Sequence, residues 1–392
     1  VEIESINCGC IVVGTKYSAS DLCHKNYDSY FQCNPYDLEN IKRVLDKIFI
    51  QINKKHRFNY PTISSWDKVL NNLKIWINYR DVFLKDFNKT VGIILLTLNA
   101  EKSIENILRI IDYSKYKVLI IDSSSDDNTV EICKKYNCQI IIIDRSEFNH
   151  GATREMGRNT IGTDVIIFMT HDAIPINSKT FEYLIEPILN GKASLSYAKQ
   201  LPVNGSSIFE SFPRKYNYGN NYQIRSIKDV DKYGVYTFFC SDSCSAYISK
   251  DLDEIGGIKP ILTSEDYINC AELLRKGYRV AYVPEAVVTH SHYYTLKQEF
   301  QRMFDTGFVR AERPWIQNAV GNASKRGAGY FIALIKKLAL ENPLLIPYAF
   351  LQTTVKYLGY KIGFNAIKFP KGLKKSLSGQ KYFWDSKYYK EH

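Results

Sequence analysis

An aspartate and a pair of histidines are the residues of this sequence best suited to hold a metal ion. Asp172 follows an apolar run, and a carboxylate at the end of a buried strand can bind a divalent cation that bridges two phosphates. His290 and His292 end an extended stretch two positions apart, so both project from one face and can complete the site with Asp172. A turn aspartate and structurally packed histidines are the alternative interpretation.

Two adjacent acids, Glu265 and Asp266, are candidates for proton transfer. They begin a predicted helix that runs to Gly277, and two neighbouring carboxylates can supply a general base and a charge that raises its pKa. Acidic residues in the first turn of a helix also offset the helix dipole, which is the structural alternative. The local pattern leaves both interpretations open.

The sequence contains no glycine-rich phosphate-binding motif after any predicted strand. The absence of G-x-G-x-x-G and of G-x-x-x-x-G-K-[ST] argues against a Rossmann dehydrogenase or a P-loop enzyme. A nucleotide would instead be held by carboxylates, a cation and an arginine. Arg154 can make a forked contact to a phosphate, or it can be an ordinary surface arginine.

The elements that would position these residues alternate along the chain from Thr90 onward. Apolar runs and helical spacing predict, in order, a strand over 91–98, a helix over 104–111, a strand over 118–122, a helix over 128–136, and strands over 139–144 and 165–169. Such alternation is typical of a parallel α/β sheet, whose ligands bind beyond the carboxyl ends of the strands. Polar residues follow those ends, so the sequence predicts a nucleotide site there.

Taken in order, these motifs resemble those of family 2 glycosyltransferases of the GT-A fold. The matching segments are T-L-N-A at 97–100, I-D-S-S-S-D-D-N-T at 121–129, F-N-H-G-A-T-R at 148–154, T-H-D-A at 170–173, S-E-D at 264–266 and H-S-H at 290–292. The last four, together with 357–363 and Trp384, are similar to bacterial rhamnosyltransferases that make O-antigen, capsule or cell-wall polysaccharides. The resemblance leaves out residues 1–88.

The resemblance implies a role for each matching residue. Asp266 would be the catalytic base, with Glu265 beside it, and Asp172 matches the second acid of a D-x-D metal motif. The first acid of that motif is Thr170 here, a replacement often seen in rhamnosyltransferase-like members. The implied donor-binding residues are Thr97, Asn99, Asp122, Ser124, His150, Gly151, Arg154 and Asp172. The implied ligands of Mg²⁺ or Mn²⁺ are Asp172, His292 and His290.

The implied reaction is a sugar transfer with inversion at the anomeric carbon. The expected enzyme moves L-rhamnose from dTDP-β-L-rhamnose to a hydroxyl of a growing bacterial surface glycan, so its partners would be that nucleotide-sugar donor and a glycan or lipid-diphosphate-linked oligosaccharide acceptor. Two alternatives stay open. One is the same fold with a UDP- or GDP-hexose donor, and the other is a non-catalytic module that binds a sugar nucleotide or a glycan.

The net charge of +11 is concentrated at the C-terminal end of the chain. Residues 300–392 contain 16 Lys or Arg and 5 Asp or Glu, so the preceding residues are neutral as a whole. Helical spacing and apolar runs too short to cross a bilayer predict basic amphipathic helices, which either lie on an anionic membrane surface or pack against the catalytic domain. A basic region can also meet nucleic acid, but the sequence shows no recognised nucleic-acid module, so no such partner is expected.

The chain is expected to have three parts. These are an N-terminal, mainly helical segment of unknown role over 1–88, with helices near 37–54 and 66–76, a GT-A domain over 89–300, and the basic helical region over 301–392. The C-terminal part would serve as a membrane-surface or acceptor-binding element.

The composition excludes collagen-like, disordered and disulfide-scaffold proteins, because glycine and proline are few and 45% of the residues are hydrophobic. Nine cysteines, an odd number, predict reduced thiols, and Cys240 and Cys244 are expected to be buried. Cys8, Cys10, Cys23, His24 and Cys33 form a weak zinc candidate without a C-x₂-C pair. With no signal peptide at Val1, the expected location is cytoplasmic, including the inner face of the cytoplasmic membrane.

Overall fold

The computed structural model describes residues 12–15, 30–33, 89–320 and 324–391. The chain divides into two compact units, residues 1–79 and 80–392. In the first unit, strands β1 (Val12–Thr15) and β2 (Tyr30–Cys33) pair in parallel. The helices expected near 37–54 and 66–76, and the side chains of the zinc candidate, lie outside the described residues.

A nine-stranded sheet forms the centre of the described part of the second unit. Its strands are β3 (Val91–Thr97), β4 (Tyr116–Asp122), β5 (Gln139–Ile142), β6 (Val165–Thr170), β7 (Ile174–Pro175), β8 (Leu195–Leu201), β9 (Gln223–Arg225), β10 (Cys244–Ile248) and β11 (Val280–Thr289). Their order is β5-β4-β3-β6-β10-β8-β11-β7, and β9 also pairs with β11. Only β7, β9 and β10 run against the other strands, so the expected, mostly parallel sheet is confirmed.

Helices flank this sheet and extend beyond it. They are α1 (Ile104–Leu108), α2 (Thr129–Cys133), α3 (His150–Ile161), α4 (Lys179–Leu189), α5 (Ile208–Asn217), α6 (Val230–Tyr233), α7 (Ser249–Glu254), α8 (Glu265–Arg275), α9 (Leu296–Ala311), α10 (Pro314–Val320), α11 (Ser324–Glu341), α12 (Ile346–Phe364) and α13 (Lys371–Leu377). The α/β class and the C-terminal helical region that the sequence predicts are therefore both present.

The sheet is buried on both faces, which explains the continuous apolar runs of its strands. All seven residues of β3 are buried between β4 and β6. Ile94 packs into the hydrophobic cluster on one face and Ile93 into the cluster on the other, because successive side chains of a strand alternate. Cys240 and Cys244 are free and buried, as expected.

The predicted strand over 139–144 ends earlier in the structure, at Ile142. Asp144 is the reason, because its side chain accepts a hydrogen bond from the backbone amide of Ser146 and caps a 3₁₀ turn over Arg145–Glu147. The turn brings the chain back towards the carboxyl edge of the sheet, where Arg145 lines the cavity described below.

The C-terminal region packs closely on the sheet unit through α9. Glycines let α12 approach α9, since a Cβ at Gly363 would lie 2.0 Å from the carbonyl oxygen of Phe304. Phe304 belongs to the same hydrophobic cluster as strand residues of the sheet, and so does the fully buried Trp384. Within the described residues, no helix is both long and apolar enough to cross a membrane.

Candidate functional site

A cavity of about 1490 Å³ lies at the carboxyl edge of the sheet. Thr97, Ser123 and Thr170, at or just after strands β3, β4 and β6, form one of its walls. These residues are here called the strand-end wall, and the lining residues from helices α5, α9, α11 and α12 are called the helical wall. The strand ends that the sequence singles out thus meet at one cavity, as open α/β sheets predict.

Asp172, His290 and His292 come together in this cavity. The Nε2 atom of His292 lies 3.1 Å from Oδ2 of Asp172, and the Nε2 atom of His290 lies 3.5 Å from Oδ1. One ligand atom from each residue lies within 4.8 Å of the other two. A single divalent cation can therefore be reached by all three side chains, although Asp172 and His290 lie 118 positions apart in the sequence.

Neighbouring groups prepare this cluster for a cation. The Nδ1 atom of His290 lies 3.2 Å from Oε1 of Gln200, so a proton on Nδ1 leaves Nε2 free to bind a metal. Burial raises the pKa of Asp172, but the hydrogen bond and charge of His290 outweigh it and hold that pKa below its usual range. Burial and the charge of His290 lower the pKa of His292 to about 4, so its imidazole is neutral at neutral pH.

Asp266 lines the same cavity at the beginning of α8, next to Glu265. Burial is the first cause that raises the pKa of Asp266, followed by the charges of Glu265 and Asp242, and together they bring it to about 7. A carboxyl group with a pKa near 7 exchanges protons readily at neutral pH, which is what a general base requires. This pairing of two acids is the one anticipated from the sequence.

Glu265 is directed away from the cavity and into a buried ion-pair network. Its carboxylate contacts the guanidinium of Arg154, and the Nε atom of Arg154 lies 3.7 Å from Oδ2 of Asp242. Burial raises the pKa of Glu265, but the charge of Arg154 outweighs it, so Glu265 is ionised. Neither Glu265 nor Arg154 lines the cavity, and Arg154 is only 2% exposed. The direct donor contact expected of Arg154 stays a prediction, and the observed geometry pairs its charge with Glu265 and Asp242.

Asp122 joins the ends of two neighbouring strands. Its Oδ2 atom accepts hydrogen bonds from the hydroxyls of Thr97, at 2.8 Å, and Ser125, at 2.6 Å. Its Oδ1 atom accepts a third from the amide of Ser125 at 2.7 Å. Asp122 is fully buried, whereas Thr97 lines the cavity. The two residues meet as the sequence predicts, and their donor-binding roles stay predictions.

Asn99 and Ser124 hold left-handed backbone conformations around this pair. Their φ angles are 51° and 57°, a region that side-chain-bearing residues adopt only when neighbouring contacts hold them there. The amide of Asn99 donates to the hydroxyl of Ser125 at 2.8 Å, and the hydroxyl of Ser124 donates to the carbonyl of Ile143 at 2.8 Å. Both residues shape the strand ends, and their donor-binding roles stay predictions.

His150 and Gly151 begin helix α3, but only His150 reaches the cavity. The Nδ1 atom of His150 is buried and has no hydrogen-bond partner among the residues that the structure describes. Gly151 has a packing role, because a Cβ there would lie 2.0 Å from the carbonyl oxygen of Lys259. Its predicted donor contact stays a prediction.

The structure adds cavity residues that the sequence motifs do not include. Arg145 lines the strand-end wall, while Arg214 and Arg302 line the helical wall. Arg214 donates from Nε to the carbonyl of His290 at 3.1 Å, so its positively charged guanidinium lies beside the Asp172 cluster. The position of Arg145 directly after the predicted strand over 139–144 was a usable signal, but Arg214 and Arg302 come from helices whose packing no local pattern reveals.

One protein family and several known proteins are similar to this chain. The profile of the family described as "Glycosyl transferase family 2" matches residues 93–256. The O-antigen chain rhamnosyltransferase RfbN of Salmonella typhimurium is 35% identical over 302 residues, which cover 76% of this chain and 96% of RfbN. The O-antigen chain rhamnosyltransferase WbaN of Salmonella anatum is 36% identical over 272 residues, covering 69% of this chain and 86% of WbaN.

Similar solved structures come from more distant proteins. A mannosyltransferase from Pyrobaculum calidifontis in complex with GDP-Man and Mn²⁺ covers 76% of this chain and 95% of its own, with 15% identity and a TM-score of 0.49. Glucosyl-3-phosphoglycerate synthase from Mycobacterium tuberculosis, in complex with Mg²⁺ and UDP, covers 62% of this chain and 83% of its own. Its identity is 14% and its TM-score 0.42.

Proposed function

The chain belongs to the family 2 glycosyltransferases, and we propose that it transfers L-rhamnose from dTDP-β-L-rhamnose to a hydroxyl of a bacterial surface glycan. Its fold is the GT-A fold expected from the sequence. One observation carries the proposal: a cation-binding cluster around Asp172 and a carboxyl group with a pKa near 7, Asp266, open into one cavity. The rhamnosyltransferase names of two relatives support the sugar.

Asp172, His290 and His292 would hold the divalent cation. One carboxylate and two imidazoles form a mixed oxygen and nitrogen ligand set, which suits Mn²⁺ better than Mg²⁺ because Mg²⁺ strongly prefers oxygen ligands. When bound, the cation supplies Lewis-acid stabilisation of the departing nucleoside diphosphate. Arg214, beside the cluster, adds a further positive charge for the same phosphates.

Asp266 would be the general base of a single displacement. Its ionised carboxylate accepts the proton of the acceptor hydroxyl as that oxygen forms a bond to the anomeric carbon. The bond between the anomeric carbon and the diphosphate oxygen breaks, and its electron pair leaves with the nucleoside diphosphate. One displacement inverts the anomeric centre, so a β-L-rhamnosyl donor gives an α-L-rhamnoside.

The buried ion pair between Arg154 and Glu265 would keep the neighbouring base, Asp266, in place. The buried charge of Arg154 fixes Glu265, and the backbone amide of Asp242 faces Oδ2 of Asp266 at 3.4 Å. Thr97, with Asp122 behind it, and Arg145 would bind the nucleoside end of the donor at the strand-end wall. The reacting carbon would then lie between the two walls of the cavity.

The acceptor is proposed to be a glycan linked to a lipid diphosphate at the inner face of the cytoplasmic membrane. Helices α11 and α12 and their connecting turn carry exposed apolar side chains, here called the apolar surface: Ile332, Leu340, Leu344, Phe350, Leu351, Tyr357 and Leu358. Leu340 and Leu344 are 87% and 88% exposed. Exposed leucines in a basic region favour an anionic membrane surface, where each engaged basic residue contributes about 1 kcal/mol.

The proposed domain organisation follows the expectation from the sequence. Residues 89–300 would carry the transferase chemistry, and residues 301–392 would complete the acceptor side of the cavity and contact the membrane. A role for residues 1–88 is not proposed.

The stereochemistry of donor hydrolysis tests the proposed reaction without an acceptor. The protein would be incubated with dTDP-β-L-rhamnose and Mn²⁺, and the anomer of free rhamnose formed first would be followed by proton NMR. Inversion gives α-L-rhamnose first, before mutarotation. Formation of β-L-rhamnose first would contradict a single displacement, and release of sugar only from UDP- or GDP-hexoses would contradict the proposed donor.

A further inference from the structure

We propose that Glu299, Gln352 and Lys356 form a second sugar-binding subsite, which holds the hydroxyl groups of the terminal hexopyranose of the acceptor. The subsite lies in the helical wall of the cavity, where α9 contributes Glu299 and α12 contributes the other two residues. The inference rests on the proposed function, because an acceptor sugar is needed only if the protein transfers a glycosyl group.

The cavity has room for two substrates. Its volume of about 1490 Å³ exceeds the range of about 300–1,000 Å³ that is typical of sites for one small ligand. Thr97 and Arg145 line the strand-end wall, where the nucleotide would lie, whereas Glu299, Gln352 and Lys356 belong to the helical wall. The space in front of the helical wall is therefore left for the second substrate.

Glu299 is a buried acid whose two side-chain partners contact the same carboxylate oxygen. Its Oε1 atom accepts a hydrogen bond from Nε2 of Gln352 at 3.3 Å, and the Nζ atom of Lys356 lies 2.9 Å from the same oxygen. Glu299 is 7% exposed and Gln352 is 4% exposed. Burying charged and amide groups is costly, and these groups face a cavity in which sugar hydroxyls can donate to the carboxylate and accept from the amide.

Aromatic rings surround this polar cluster. Tyr348 lines the cavity and meets Phe209 edge to face, with ring centroids 4.8 Å apart. Tyr330 lines the cavity too and meets Phe212 edge to face, with ring centroids 5.3 Å apart. Burial raises the pKa of both tyrosines, and the charge of Glu299 raises it further. Rings with an apolar face and a polar hydroxyl can pack on the C–H surface of a pyranose while charged groups bind its hydroxyls.

Ring contacts connect this cluster to the metal-binding residues. The ring of Tyr294 is 5.6 Å from that of His292, and the guanidinium carbon of Arg302, which follows Glu299 by three residues on α9, lies 3.9 Å from the centroid of the Tyr294 ring. A pyranose held at Glu299 would thus be next to the place where the donor diphosphate meets the cation. This arrangement brings an acceptor hydroxyl towards the reacting carbon.

The test compares Glu299→Gln with wild type, using octyl glycosides of galactose, glucose, mannose and rhamnose as probes. Binding would be measured by saturation-transfer NMR, and transfer from dTDP-L-rhamnose would be measured by mass spectrometry. At least one glycoside is expected to bind wild type, and E299Q is expected to raise its KM about ten- to a hundredfold, the loss typical of a hydrogen bond to a charged group. Hydrolysis of the donor should be unchanged.

Two further variants keep the test decisive. Tyr348→Ala removes a partly exposed ring and is expected to raise the acceptor KM without changing donor hydrolysis, even if E299Q fails to fold. Glu182→Gln removes an exposed carboxylate paired with Lys115 and is the matched control. The proposal is overturned if no glycoside binds wild type, or if E299Q and Y348A both have the wild-type KM. Failure of wild type to turn over dTDP-L-rhamnose would instead refute the proposed function.

Discussion

The Nε2 atoms of His290 and His292 lie 2.9 Å apart, and each also faces the carboxylate of Asp172. Two imidazoles at this separation can share one proton, but two protonated rings would repel each other. The low pKa of His292, about 4, is consistent with a neutral ring. A divalent cation requires an ionised carboxylate and imidazole nitrogens that carry no proton, so the low pKa values of Asp172 and His292 favour its binding.

Metal binding should depend on His292 and should favour Mn²⁺ over Mg²⁺. We expect His292→Ala to weaken Mn²⁺ binding by at least tenfold, because it removes one of three ligands. Electron paramagnetic resonance of free Mn²⁺ measures this affinity. His171→Gln is the matched control, since His171 lines the cavity but contacts Ser103 instead of the cluster. Equal Mn²⁺ affinity in wild type and H292A would show that the cation binds elsewhere.

Loss of the proposed base should affect turnover and leave donor binding intact. Asp266→Asn is expected to lower kcat by about 10²–10⁴, the usual contribution of general base catalysis. The dissociation constant of dTDP-L-rhamnose, measured by calorimetry, should stay within about threefold of wild type. Asp231→Asn, at an exposed position on α6, controls for the loss of a carboxylate. A D266N variant that turns over normally, or that no longer binds the donor, would contradict the assigned role.

The rate should rise with pH through the pKa of Asp266. Below about 7 this carboxyl group is protonated and cannot accept a proton, and above 7 it is ionised, so kcat/KM should climb and then level off. Glu265→Gln removes a neighbouring negative charge and should move the rising limb to lower pH. The pH profiles of wild type and E265Q measure this shift. If the rising limb stays at the same pH or moves to higher pH, the charge of Glu265 does not raise the pKa of the catalytic base.

Arg154 should matter more for stability than for donor affinity. Replacing it by methionine leaves the carboxylates of Glu265 and Asp242 buried without their cation, which is expected to cost about 3–5 kcal/mol of unfolding free energy. Arg109→Met, which breaks an exposed ion pair with Glu105, should cost less than about 1 kcal/mol. Urea denaturation gives both values. A stable R154M with a raised donor KM would instead support the direct contact that the motif predicts.

The contrast between Asp122 and Arg154 shows which contacts can be predicted from the sequence and which cannot. Strand ends are set by local apolar runs, and parallel strands present those ends at one edge, so the meeting of Thr97 with Asp122 follows from pattern alone. Arg154 lies on a helix, and which of its faces is buried depends on Glu265, 111 residues away. The motif therefore marks Arg154 as a candidate site residue, but it does not tell whether Arg154 contacts the ligand or forms a buried ion pair behind the cavity lining.

The helical wall illustrates a second limit. Glu299 and Lys356 read as ordinary surface charges of amphipathic helices, and they meet only because Gly359 and Gly363 let α12 approach α9. The basic excess of the C-terminal region was visible in the sequence. How that region is divided between packing on the sheet unit and exposing apolar side chains depends on tertiary contacts that composition does not encode.

The apolar surface should govern attachment to membranes. Aspartate substitutions at both Leu340 and Leu344 are expected to lower binding to vesicles of anionic phospholipid by more than tenfold, because two exposed leucines lose their burial in the bilayer interface. Co-sedimentation with vesicles measures the effect. Ile142→Asp changes another exposed apolar residue, on β5, and this control variant should bind vesicles like wild type. If the double variant binds vesicles as well as wild type does, the apolar surface does not mediate membrane attachment.

The most direct test of the proposed donor and cation site is calorimetric titration of the protein with dTDP-L-rhamnose, with and without Mn²⁺, beside UDP- and GDP-hexoses. We expect dTDP-L-rhamnose to bind, its affinity to fall when Mn²⁺ is omitted, and Asp172→Asn to remove the dependence on Mn²⁺. Binding of a UDP- or GDP-hexose in preference to dTDP-L-rhamnose would contradict the proposed donor. Donor affinity that is the same with and without Mn²⁺ would contradict the proposed cation site.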